Sequence, residues 1–153
     1  MFNKTKLNSE KELEALLSEP TQEVVEMMKR LKGDIMILGI AGKIGISLGL
    51  QVVEAIRQAG IRKKVYGVSR FSKAEERTKL EACGIITIPC DLMEREQVEK
   101  LPLTENVIFM AGHKFGTQGS ESTTWGMNVI APALAAEHFK DSRITRRLSR
   151  IER

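Results

Sequence analysis

The sequence has little with which to hold a metal or a cross-link. Two cysteines (Cys83 and Cys90) and two histidines (His113 and His138) stand among 153 residues, with no metal-ligand spacing between them. This argues against a metal module and reads as two reduced thiols. No stretch approaches the roughly 18 consecutive apolar residues of a membrane span. The opening residues, Met1-Phe2-Asn3-Lys4-Thr5-Lys6, lack the apolar core of a secretory signal. A cytoplasmic protein with no membrane partner is therefore expected. A GKS or GKT ending to a phosphate loop is also missing, which argues against a nucleoside triphosphatase.

Basic charge is present but poorly placed for nucleic acid. The formal net charge is +4, yet residues 143–153 carry five arginines and a single acid. The remainder holds 19 basic and 19 acidic residues, so the body of the chain has no implied basic face and no nucleic-acid partner is expected.

The chain does contain a regular alternation of apolar runs and amphipathic segments. Residues 1–33 read as a helical extension. Ser9-Glu10-Lys11-Glu12 is a capping box, Leu13, Leu16 and Leu17 form a stripe, and Pro20 ends the segment. Thr21 is placed to cap a second helix, which Gly33 stops. From Asp34 the order is β-α-β-α-β-α-β-α. Strands are expected at 35–38, 64–69, 85–88 and 106–111, and helices at 46–58, 73–82, 94–101 and 124–139. Short apolar strands between helices imply an α/β fold, a partial Rossmann-type doubly wound parallel sheet of order 3-2-1-4 with two leading helices. The domain spans 34–142. A fifth strand is due after Asp141, but residues 143–153 lack a buried-strand pattern and read as a basic, disordered tail. Strand four would then be an open apolar edge, inviting non-native association.

The most informative stretch is Gly39-Ile40-Ala41-Gly42-Lys43-Ile44-Gly45, set between the first strand and its helix. Glycines let the backbone approach a pyrophosphate, and the helix start offers unpaired N–H groups and partial positive charge. Gly39, Ala41, Gly42, Lys43, Ile44 and Gly45 are thus candidate cofactor contacts. A second candidate lies at the end of strand two. An acid there would bind the ribose hydroxyls of NAD, but the chain reads Val68-Ser69-Arg70-Phe71. Arg70 offers a fork suited to phosphate and Ser69 adds a hydroxyl, so NADP is favoured, with NAD the alternative.

With G-x-x-G-x-x-G at Gly39, Gly42 and Gly45, Asp91-Leu92 after strand three, Ala111-Gly112 after strand four and Asn128 in the next helix, the chain resembles the NAD-dependent epimerase/dehydratase family, the extended short-chain dehydrogenases/reductases. The likeness covers residues 34–142. It implies that the three glycines hold the pyrophosphate, that Asp91 accepts from the adenine amino group beside Leu92, and that Ala111 and Gly112 line the adenine ribose side. Asn128 would organise active-site backbone and water. For Asp91 the residues themselves leave a helix N-cap equally open. In the family the substrate is often a nucleotide sugar, and the helix ending near Phe139 often packs in a dimer, so a homo-oligomer is an expectation.

The family's catalytic Tyr-x-x-x-Lys, in which lysine lowers the tyrosine pKa for proton exchange, has no counterpart here. The single tyrosine, Tyr66, sits inside strand two with Arg70 four residues on, and His113 and Lys114 occupy the polar loop after strand four. The expectation is therefore a cofactor-binding part of an epimerase/dehydratase-like oxidoreductase, truncated by a frameshift or early stop and inactive alone. The alternative is a non-catalytic NADP(H)-binding module, or a subunit completed by another chain.

Overall fold

The structure is a computed structural model that describes residues 9–113, 119 and 121–146. Two helices lead, α1 (Glu10–Ser18) and α2 (Gln22–Arg30). Then come β1 (Ile35–Leu38), α3 (Lys43–Gln58), β2 (Val65–Ser69), α4 (Ala74–Ala82), β3 (Ile86–Pro89), the single turn α5 (Arg95–Val98) and β4 (Asn106–Phe109). After β4 a near-continuous helical stretch runs through α6 (Glu121–Trp125), a π-helical turn (Gly126–Ile130) and α7 (Ala131–His138), before β5 (Arg143–Arg146). The sheet is all-parallel, in the order β3-β2-β1-β4-β5. This is a doubly wound, Rossmann-like arrangement.

β1 is buried throughout, which is why its four residues are uniformly apolar and do not alternate. Successive side chains leave opposite faces of a strand. Met36 and Leu38 join Val68, Val107 and Phe109 under Ala131, Ala135 and Phe139 of the last helix. Ile35 and Ile37 join Val65 under α3 and Leu80 of α4. Val25 and Met28 of α2 enter that second cluster, so α2 extends the core of the sheet. α1 rests on α3, where Gln51 donates to the Glu19 carbonyl at 3.2 Å.

The amino ends of the strands are held by polar groups. The Asn106 amide donates to the Lys32 carbonyl at 2.7 Å and the Asp34 carbonyl at 3.0 Å. Lys63 donates to the Gly33 carbonyl at 3.0 Å, and Glu105 accepts from the Asp34 N–H at 2.9 Å. Ser9 caps α1 as its sequence implies, accepting from the Glu12 N–H at 3.2 Å. Thr21 holds the N-cap position of α2 but makes no side-chain capping bond.

Residues 143–146 correct the expectation of a missing fifth strand. They form β5, with Arg143 opposite Asn106 and Ile144 opposite Val107, and the Arg143 N–H bonds to the Glu105 carbonyl at 2.8 Å. The apolar-run criterion belongs to strands flanked on both sides, whereas among the described residues β5 has β4 as its one neighbour, and charged side chains are common at such an edge. β4 is consequently paired on both sides and is no open edge. The expected tail from 147 onward lies outside the described residues.

Asn106 is 7% exposed and both of its amide bonds go to backbone carbonyls. Asn106→Ala should lower the unfolding free energy by about 1–3 kcal/mol by stranding those carbonyls, and Asn106→Asp by more, since it sets a third acceptor against them. Urea titration with unchanged midpoints would show that this anchor contributes nothing.

Candidate functional site

The chain leaves β1 through Gly39 at φ +87°, a conformation that L side chains rarely adopt. A Cβ there would also stand 2.5 Å from the Ala111 nitrogen. The carboxyl ends of β1 and β4 therefore touch through bare backbone. The N–H groups of Gly39 and Ile40 both donate to the Val68 carbonyl, at 2.7 and 3.2 Å, which turns Ile40 into the interior. Gly45 lies directly against it: a Cβ at 45 would meet the Ile40 carbonyl oxygen at 2.4 Å.

Gly42 differs from both. It is exposed at the N-cap of α3, and an added Cβ would find only the Gly39 oxygen, at an ordinary 3.5 Å. Two of the three motif glycines are required by the fold itself, and the third is not. Beyond Gly42 the first N–H groups of α3 have no intrahelical acceptor, as at any helix start, and carry the positive end of the helix dipole.

Over this turn lies a cleft of about 350 Å3. It brings together Gly39, Ala41, Gly42, Ser69, Arg70, Leu92, Ala111 and Gly112, all expected as site residues. Of the remaining five, Lys43 and Ile44 are exposed on the first turn of α3, Gly45 is buried beneath Ile40, and Asp91 and Asn128 act on neighbouring backbone. Sequence reasoning missed Ser72, Lys73, Glu76, Cys90, Met110 and Met127 in the same lining. Nearness to Arg70 and Asp91 could have flagged Ser72, Lys73 and Cys90, but Met127 arrives only through the path of the last helix.

Arg70 is exposed at the mouth of β2. The next residue, Phe71, has φ +50° and is the one non-glycine residue at positive φ among those described. Its ring packs on the cluster under α3. Positive φ is rare for a bulky side chain, so burial of the ring holds the backbone of 70–73 in a bend that it would not otherwise keep.

Asp91 serves the local turn. Its Oδ1 accepts from the Met93 N–H at 3.0 Å, and its carbonyl accepts from Glu94 at 3.0 Å. The residues had left a helix N-cap open, but the N-cap of α5 is Glu94, and Asp91 makes an Asx turn ahead of that helix. The Asp91 N–H donates to the Gln97 side chain at 2.8 Å. Beside it Cys90 is buried, and desolvation, aided by the Asp91 carboxylate, pushes its thiol up to about 11. It is a thiol, and a poor nucleophile, near neutral pH.

Past β4, Asn128 clamps the loop. Its amide nitrogen donates to the His113 carbonyl at 2.7 Å and its oxygen accepts from the His113 N–H at 3.2 Å. The π-helical turn containing Asn128 sets this register, and Gly126 within it passes so close to Met93 that a Cβ would stand 2.7 Å from the sulfur. His113 Nδ1 lies 3.1 Å from Thr124 Oγ1, while Lys114 falls outside the described residues. Tyr66 is half-buried in β2, opposite Met36 and Ile86, and packs against the cluster under α7. Among the described residues no group of His, Cys, Asp or Glu could hold a metal ion, and no helix is long and apolar enough to cross a membrane.

No family model matches the chain, and no curated protein matches it. Among solved structures, the crystal structure of Cj0485 dehydrogenase aligns with 15% sequence identity and a TM-score of 0.49, over 73% of this chain and 47% of that one. The chain thus spans about half the length of that structure.

Two predictions follow from the geometry of the turn and of Cys90. Gly45→Ala should destabilise by about 1–3 kcal/mol through overpacking against Ile40, whereas Gly42→Ala should stay within about 1 kcal/mol of wild type. Thermal or urea unfolding of the pair checks the contrast, and equal losses would contradict it. Because the folded chain retains the Cys90 proton from the ordinary thiol value of 9.0 up to about 11, the unfolded chain binds fewer protons in that window. Stability relative to Cys90→Ala should therefore be constant below pH 9 and fall as pH rises toward 11. Parallel pH profiles for the two proteins would count against the burial of this thiol.

Proposed function

We propose that this chain binds an adenine dinucleotide, NADP in preference to NAD, across the cleft at the carboxyl ends of β1, β2 and β4. One observation carries the reading. Gly42 is a glycine that the fold does not need, at a helix N-cap, facing a cleft that a side chain would begin to fill. A pyrophosphate is the ligand such a bare helix start suits, because it takes both the free N–H groups and the dipole.

In this reading Gly39, Ala41, Gly42, Lys43, Ile44 and Gly45 make the pyrophosphate turn, with the N–H groups of Lys43 and Ile44 aimed at its oxygens. Arg70 and Ser69 take the 2′-phosphate. Leu92 packs on the adenine, with the second oxygen of Asp91 toward its amino group. Ala111 and Gly112 approach the ribose as bare backbone, and Asn128 keeps the adjoining His113 peptide in place. Bound there, a nicotinamide dinucleotide supplies hydride exchange.

The finer reading is the cofactor-binding part of an epimerase/dehydratase-like oxidoreductase acting on a substrate such as a nucleotide sugar. The position of Tyr66 favours a second one. The one tyrosine among these 153 residues, Tyr66, lies half-buried in β2 and packs against the core, away from the role of a free proton donor. A non-catalytic NADP(H)-binding module, or a subunit whose proton-transfer group comes from another chain, accommodates that fact. A copurifying partner that confers turnover would select the subunit over the module.

Calorimetric titration tests the common core of these readings. Wild type should bind NADP more tightly than NAD. Gly42→Val should abolish binding of both with little change in unfolding midpoint. Arg70→Ala should weaken NADP by about 1.5–3 kcal/mol, the scale of a charge-assisted hydrogen bond, and NAD far less. Undiminished binding by Gly42→Val would remove the reading; an equal response of both cofactors to Arg70→Ala would remove the preference for NADP.

A further inference from the structure

Resting on the dinucleotide reading above, we propose that Glu76 limits the preference of this cleft for a 2′-phosphate by competing with that phosphate for Lys73. Arg70, Ser72, Lys73 and Glu76 all line the β2 end of the cleft. Arg70, Ser72 and Lys73 flank Phe71, which has positive φ, and Glu76 lies in the first turn of α4. Lys73 is the N-cap of α4 and Glu76 stands three residues later in its first turn, with Nζ and Oε1 3.5 Å apart.

The two partners are unequally held. The lysine side chain is 74% exposed and the glutamate 24%, so the carboxylate is the seated member and the ammonium the one free to swing. An arginine, a lysine and a serine in one stretch of a cleft lining offer donors to an anion, and Glu76 adds an acid to the same lining.

The consequence for a ligand depends on charge. A phosphate monoester carries about −1.5 to −2 near neutral pH and draws both Arg70 and Lys73 toward it. Lys73 then leaves Glu76, whose carboxylate faces the phosphate without its counter-ion. A dinucleotide with a plain 2′-hydroxyl makes no such demand and leaves the Lys73–Glu76 pair in place. Glu76 therefore costs affinity for the phosphorylated cofactor alone. The opposite arrangement, an acid accepting hydrogen bonds from ribose hydroxyls, is the known alternative for a carboxylate near the end of β2. It predicts the reverse dependence.

The test is calorimetric titration of wild type, Glu76→Gln, Lys73→Gln and the double variant with NADP and with NAD, each shown to be folded by its thermal transition. Glu76→Gln should tighten NADP about two- to fivefold, the range for a partly exposed ion pair, and leave NAD unchanged. Lys73→Gln should weaken NADP, and in its presence the gain from Glu76→Gln should shrink. Weaker NAD binding by Glu76→Gln would mean that the acid grips the ribose and would overturn the proposal. Unchanged affinities, or a parallel shift of both cofactors, would overturn it too, since a merely structural role moves them together. If wild type binds neither dinucleotide, the cofactor reading itself fails and takes this inference with it; binding of both with an unaltered NADP-to-NAD ratio defeats this inference alone.

Discussion

The burial of Ile40 is the constraint on which the site depends. Its side chain is fully enclosed, and its N–H shares the Val68 carbonyl with that of Gly39. Positions that could have carried side chains are kept bare around it. A Cβ at Gly49 or Gly67 would stand 2.9 or 2.8 Å from its Cδ1, and one at Gly45 would meet its carbonyl. With the isoleucine driven down between α3 and β2, the chain returns to the cleft lining at Ala41 and Gly42, and α3 starts at Lys43. The shape of the turn follows from packing one isoleucine. Close-packed interiors leave few other solutions, because a methyl group misplaced by half an ångström has nowhere to go.

The two ends of the sheet are built differently. At the amino end Asn106, Lys63, Asp34 and Glu105 tie β1, β2 and β4 to the leading helices through side-chain bonds to backbone. At the carboxyl end the backbone does unusual things instead. Phe71 takes positive φ, Gly39 and Ala111 meet without intervening side chains, and a π-helical turn presents Asn128 to the loop after β4. Such features persist where the surroundings determine them, and they concentrate where ligands bind. The i,i+3 and i,i+4 ion pairs away from the cleft, such as Arg57 with Glu54 at 2.6 Å, add little beyond solubility.

Most of the elements were legible because their signals are local. Ile35–Leu38 reads as a buried strand from four apolar residues, α3 from its periodicity, and the cap of α1 from Ser9 and Glu12 alone. Asp91 was readable only as two alternatives, since a helix N-cap and a base contact ask for the same carboxylate. β5 was not legible. Its residues carry an edge pattern, and whether a charged segment is an edge strand or a tail depends on a partner strand that lies 37 residues earlier, β4 at Asn106 opposite Arg143.

From its residues alone, the chain determined an alternating α/β order, a central apolar strand, and a glycine turn at a helix start, because each depends on neighbours within one or two turns. Only the tertiary structure decided which of the three motif glycines is free of the fold. It alone brought Met127 into one lining with Arg70, buried Cys90, and set Tyr66 half-buried against the core. Those distinctions rest on what stands across a gap of a few ångströms, between β1 and β4 or between β2 and α4. β1 and β4 lie far apart in the chain, and no local pattern records their meeting.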